Sequence, residues 1–412
     1  MRIVLHQPAR VFVTLVLLAL SGFRLGAQSK VYLLDVPDYE WHAGCFGVSG
    51  GMLMGYWDRH GFPNLYTGPT AGGVAPLDSY GTNFAIRSLW ASRAGQDGRP
   101  ADQPGHIDDY WKNYDSDDVH SYADPDPDPY VLAGRPEHEP DCIGDFVGLS
   151  QLKWKNQNGE CDGNVDAMAF IYWNLDGNRR VNFVPPPQTN GNTVVPGRDV
   201  PSGLREFARW RGYDADVFSQ LTSFNPTLPP GKGFTFADVQ AEIDAGYPFI
   251  VLQQTFTELF LPNPPIARAN PGIHAYLIYG YVVDEEGNQL VIYHTCFAAG
   301  EDYHLWNAAI WDGLLPVRGV IGLHPKPKIM NVHRQGGQII VEWHGPAAEL
   351  VDEVAGTVTT PHGYVLEKAT SLKTKNFTPV TDILTDLHAT IPDTGDQTAF
   401  FRVRLVKPPA GF

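Results

Sequence analysis

Cysteine is scarce, with four residues in 412, at positions 45, 142, 161 and 296. That is too few for a disulfide-built scaffold, and a chain of this length buries a sizeable core without one. Positive charge is in deficit: 30 Lys and Arg stand against 46 Asp and Glu, for a formal net charge of -16 and a pI near 5.2. No basic block follows the first residues, which argues against nucleic acid and anionic membranes as partners. Long apolar runs are missing too. Beyond the N-terminus no segment approaches the roughly 20 apolar residues of a membrane helix, so no membrane span is expected. In abundance are 42 glycines and 34 prolines, set between short apolar runs. This composition reads as a loop-rich globular protein.

The N-terminus has the layout of a secretory signal peptide. Arg2 and Arg10 flank the start of an apolar stretch, Val11 to Leu20, which runs into Ser21-Gly22 and then Leu25-Gly26-Ala27-Gln28. Residues 1–27 are the expected leader, and the expected product is a soluble exported protein, secreted or periplasmic. No cysteine follows the cleavage point, so lipid anchoring there is not expected. Oxidising surroundings then bear on the four cysteines, which allow three complete pairings. Cys142 and Cys161 close a short loop and make the economical disulfide, with about 3 kcal/mol of stabilisation. Cys45 is then free, and Cys296 is either free and buried or joined to Cys45.

About 385 mature residues suggest two domains. The boundary falls near Pro325-Lys326-Pro327, dividing 28–325 from 326–412. Beyond it, alternating runs at Lys328 to His333, Gln338 to Trp343, Tyr364 to Lys368, Phe377 to Val380 and Ala399 to Val406 are separated by turn residues. They predict a small antiparallel sandwich. Tyr364-Val365-Leu366-Glu367-Lys368-Ala369, Asn376 to Val380 and Phe400 to Leu405 resemble the fibronectin type III-like tail modules of exported bacterial proteins. The resemblance implies a spacer or cell-surface attachment role.

The larger domain reads as α+β, a helix early in the chain packed on a late antiparallel sheet. The helix follows Cys45 through Val48 to Asp58, and its glycines at 47, 50, 51 and 55 predict close backbone packing against another element. Further helices are expected at Leu204 to Gly212 and Phe236 to Ala245. Strands are expected at Phe249 to Leu252, Ala275 to Val283 and Leu290 to Tyr293, with a turn at 284–288. Cys45 falls on the first turn of its helix, where amides and macrodipole favour a thiolate, so it reads as a nucleophile or as a disulfide partner. His274 opens a later strand. That order, thiol at a helix start and imidazole at a strand start, suits a papain-like thiolate-imidazolium pair.

Asp35-Val36-Pro37, Trp41 with Gly44-Cys45, Met54 to Asp58, Gly61 to Leu65, Glu242 to Pro248 and Gly272-Ile273-His274 resemble exported members of the bacteriocin-processing, family-39-like cysteine peptidases of the papain clan. The resemblance covers most of Val31 to His324. It implies a papain-like fold, a peptide or protein substrate, no cofactor and no metal, with Cys45 as nucleophile and His274 as general base and then general acid. Two departures stand out. The family's glutamine before the nucleophile is absent from Tyr39-Glu40-Trp41-His42, leaving Trp41 or His42 to supplement the Cys45 amide as oxyanion donors; such a donor is worth about 100- to 1,000-fold in rate. The family's Asp or Asn after the histidine is replaced by His294, about four residues out of register with His274 unless a bulge intervenes. Asp302, His304 and Asn307 are the substitutes.

The acidic insertion around 100–165 includes His106, Asp108, Asp109, the alternating Asp-Pro tract at 124–129, His138, Asp141 and Asp145. It lacks EF-hand spacing, and reads as a solvated loop rather than a calcium site. Trp111, Trp154, Tyr172 and Trp173 read as core. Three functions suit the chain: an exported cysteine peptidase, an inactive papain-like scaffold used for binding or attachment, and another acyl transfer such as amidase or transglutaminase chemistry.

Overall fold

The computed structural model describes residues 27–40, 45–66, 74–78, 143–147, 170–186, 188–190, 193–195, 199–225, 228–253, 261–262, 265–268, 274–306 and 317–408. The expected leader up to residue 26, most of the acidic insertion including the Asp-Pro tract, Trp41, His42, Trp111, Cys142, Trp154, Cys161 and Asn307 lie outside these residues. Within them the protein is α+β. Helix α1 spans Cys45–Arg59, and every residue from Cys45 to Asp58 is buried, which is why its sequence carries apolar residues all round. Its glycines serve close approach. A Cβ on Gly50 would lie 3.0 Å from Ile143, on helix α2 (Ile143–Val147), and one on Gly55 would lie 2.9 Å from the Tyr39 hydroxyl.

Helix α3 (Val200–Trp210) starts at a capping box in which Asp199 accepts from the Ser202 amide, and Pro201 occupies its first turn. Helix α4 (Phe236–Asp244) starts at a second box, between Thr235 and Asp238. Both lie where the apolar periodicity predicts helix, with α3 beginning four residues earlier because its cap precedes the periodic run.

The main sheet takes eight strands from the first 325 residues: β1 (Ala27–Leu33), β2 (Arg180–Val181), β3 (Ala215–Leu221), β4 (Phe249–Gln253), β5 (His274–Asp284), β6 (Gln289–His294), β7 (Asp302–Leu305) and β8 (Val317–Pro325). After them come β9 (Lys328–Gln335), β10 (Gln338–His344), β11 (Leu350–Asp352), β12 (Thr357–Thr359), β13 (Gly363–Ala369), β14 (Thr378–Pro379), β15 (His388–Pro392) and β16 (Phe400–Val406). The main sheet has ten strands in the order β12-β11-β1-β5-β4-β8-β3-β2, with β6 on β5 and β7 on β6. All its pairings are antiparallel.

Strand β5 is the hub. It pairs with β4 over residues 274–278, with β1 over 280–284 and with β6 over 277–283. Gly280 permits this crowding, since a Cβ there would lie 2.7 Å from Tyr32 Cβ. The α1 face packs on this hub, within one buried cluster that includes Phe46, Met52, Ile250 and Leu277.

In 326–412, two three-stranded sheets, β9-β10-β15 and β14-β13-β16, close over a core that includes Val341, Trp343, Tyr364 and Leu366. The same segment also feeds the main sheet. Its hairpin β11–β12 adds to β1, with Leu350 opposite Leu33, and Gly345 donates its amide to Gly61 O at 3.2 Å. Among the described residues, no helix is long and apolar enough to cross a membrane.

Candidate active site

Cys45 is the first residue of α1 and is 3% exposed. Its helix turn is tightened by Ser49, whose hydroxyl donates to Cys45 O at 2.7 Å. The helix start was expected to lower the thiol pKa, but burial wins. Loss of water pushes the Cys45 thiol up to about 11, against smaller downward contributions from hydrogen bonds with the backbone of Ala275, Phe46 and Cys45 itself. The Ala275 contact fixes the location, because Ala275 follows His274 in β5 and so the thiol rests at the strand entry that carries the histidine.

His274 is partly buried between aromatic rings, with Phe297 stacked on it at 4.6 Å and Tyr276 at 5.3 Å. Its Nε2 lies 2.8 Å from Thr295 O. A carbonyl only accepts, so Nε2 carries the proton and Nδ1 is the basic nitrogen of the neutral ring. Burial draws the imidazole down to about 4, opposed by the Thr295 contact. Among the described residues no hydrogen bond joins Cys45 to His274.

No family model, curated protein or solved structure matches this chain. The site is therefore read from its own geometry.

His294 does not orient His274. A bulge between Ile278 and Gly280 sets His294 opposite Leu277, three residues along the strand from His274. His294 instead donates through Nδ1 to Gly300 O at 2.9 Å, stacks on Tyr279 at 4.4 Å and lies 3.7 Å from Asp38 Oδ2. Asp302 and His304 belong to β7, which pairs with β6, and His304 stacks on Tyr293. The orienting acceptor is the backbone carbonyl of Thr295, a role no side-chain pattern announces. The oxyanion candidates Trp41 and His42 fall outside the described residues, as do His106, Asp108, Asp109, His138 and Asp141. Tyr172 and Trp173 are buried.

One residue that sequence reasoning missed is Gln253, which ends β4 directly opposite His274. Directly opposed residues share a sheet face. Gln253 is 1% exposed, and among the described residues neither its Oε1 nor its Nε2 has a hydrogen-bond partner. The signal available in the sequence is the pair Gln253-Gln254 closing the apolar run Phe249 to Leu252. Among the described residues no group of His, Cys, Asp and Glu is arranged to hold a metal ion.

Proposed function

We propose that the chain is an exported cysteine hydrolase of papain-like type that cleaves peptide bonds through an acyl-enzyme on Cys45. The observation that carries this reading is the junction of α1 and β5, where the thiol at the helix start rests on the Ala275 backbone beside His274. His274 Nδ1 takes the thiol proton as sulfur attacks the substrate carbonyl, and the imidazolium returns it to the departing amine. Water then repeats the sequence to release the acid. Gln253 offers a buried carboxamide beside the imidazole, of the type the sequence lacks before Cys45, and it would donate to the substrate.

Protonation constrains the mechanism. With the thiol at about 11 and the imidazole at about 4, moving the proton from sulfur to nitrogen is uphill by about 10 kcal/mol. Charges held about 4 Å apart recover about 4 kcal/mol under partial screening. The resting pair is therefore neutral, and proton transfer is coupled to attack on a bound carbonyl.

The same neutrality favours a second reading, an inactive scaffold used for binding or for surface attachment through 326–412. The discriminating experiment is hydrolysis of a fluorescently labelled unfolded protein by the mature chain, its Cys45→Ala variant and its His274→Ala variant. Activity in the parent alone supports the hydrolase. Absent turnover in all three leaves the scaffold, and equal turnover in all three removes Cys45 and His274 from the chemistry.

A further inference from the structure

Cys296 lies just beyond the end of β6, with a backbone φ of 70°, the left-handed region that cysteine seldom occupies. This turn aims its thiol at Ala275 O, 4.0 Å away. The backbone of Ala275 also hydrogen-bonds the Cys45 thiol. In an extended strand the N–H and C=O of one residue point to the same edge. The two sulfurs thus share the edge of β5 that opens where β6 ends at His294. Both thiols are free and buried, Cys296 fully so.

We infer that Cys45 and Cys296 form a redox pair, closed to a disulfide by a peroxide and reopened by a thiol reductant. Cys45 sulfur attacks one oxygen of hydrogen peroxide, giving the sulfenic acid and releasing water. Cys296 sulfur then attacks the Cys45 sulfur, the S–O bond breaks, and a second water leaves with the Cys296 proton. The protein loses two electrons and two hydrogens, and the peroxide is reduced to two waters. Burial favours a small oxidant over a bulky disulfide. Closure removes the nucleophile, so it would switch off the hydrolase; that consequence rests on the proposed function, whereas the bond itself does not.

The test is peptide mapping of the full mature protein, reduced, freed of reductant, exposed to hydrogen peroxide and alkylated without reduction. A Cys45–Cys296 linked peptide that disappears on reduction is the expected result. Cys296→Ser should lose the link and leave Cys45 trappable as sulfenic acid by dimedone. Separate alkylation of both cysteines after peroxide, or linkage of Cys45 to Cys142 or Cys161, would overturn the inference. A link that forms in a protein whose reduced form shows no hydrolytic activity would sink the hydrolase and leave the redox pair standing.

Discussion

The buried, neutral Cys45 has a measurable signature in its pH dependence. With the thiol at about 11, about one molecule in 10,000 carries the thiolate at pH 7, against about three in 100 for a free cysteine. That deficit of about 300-fold is partly offset because a more basic thiolate is the better nucleophile, by about tenfold over this range. Labelling by a small methanethiosulfonate should therefore run about 30-fold slower than for a free thiol at pH 7, and slower again because Cys45 is 3% exposed. The rate should climb close to tenfold per pH unit from about pH 6 to about pH 10 without a plateau. The assay is a timed labelling series on the reduced protein, quenched and read by peptide mapping. A plateau from about pH 5 to pH 8 would mean a standing thiolate-imidazolium pair and would refute the neutral site.

Four further outcomes test the same physics. His294→Ala should leave that pH profile unchanged, because His294 bonds Gly300 and not His274; a shifted profile would restore it as the orienting residue. Burial lowers His274 to about 4 and His362 to about 3, both beneath the unfolded value of about 6.5. The unfolded chain then binds more protons, so stability is intact above about pH 6.5 and falls toward pH 4, by roughly 3 kcal/mol for His274 alone; equal urea midpoints at the two pH values would contradict this. Glu242→Ala removes the buried carboxylate whose two oxygens Arg179 and His324 bond at 2.6 and 2.7 Å, while Arg179 keeps its bond to Gln220. It should lower stability by about 1–3 kcal/mol in denaturant titration, and a loss below about 0.5 kcal/mol would show the network to be dispensable. Gly61 has φ 97°, and a Cβ there would fall 1.9 Å from Gly345 O. Gly61→Ala should speed amide exchange at Gly345 and Ala347, and unchanged protection would show that this contact does not hold the 326–412 segment to α1.

Helix α1 and strands β4, β5 and β6 are legible because each is a continuous apolar or alternating run with a clear boundary: Arg59 ends α1, Pro248 precedes β4, Asp284 ends β5 and Asn288 precedes β6. Less legible was anything requiring a distant partner. Leu350–Asp352 and Thr357–Thr359 are three residues each, too short for a period, and their place in the main sheet depends on β1 at the other end of the chain. Register was legible only to within one residue, for a related reason. The bulge after Ile278 moves the β5–β6 pairing by one residue, and nothing in Tyr279-Gly280-Tyr281 marks it except a glycine whose absent Cβ makes room for Tyr32.

The site divides along the same line. The proposed pair, Cys45 and His274, stands out by chain order and local position, which a sequence displays. The Thr295 carbonyl does not, because a backbone acceptor has no residue type. The helix start alone points to the wrong protonation state, since a dipole contribution of about 1 kcal/mol is visible in a local pattern while the larger cost of burying the thiolate exists only once α1 is packed on β5. Chemistry at Cys45 therefore depends on what removes that burial. A substrate carbonyl that accepts the developing charge would do so for hydrolysis, and a peroxide small enough to reach the sulfur would do so for closure with Cys296. Both routes start from a thiol protonated at rest, but they part in pH dependence: peroxide reacts with the thiolate, so closure should accelerate with pH in parallel with labelling, whereas hydrolysis, in which His274 takes the proton as sulfur attacks, should be level from about pH 5 to about pH 10. A peroxide reaction independent of pH would place the first oxidation elsewhere than on Cys45.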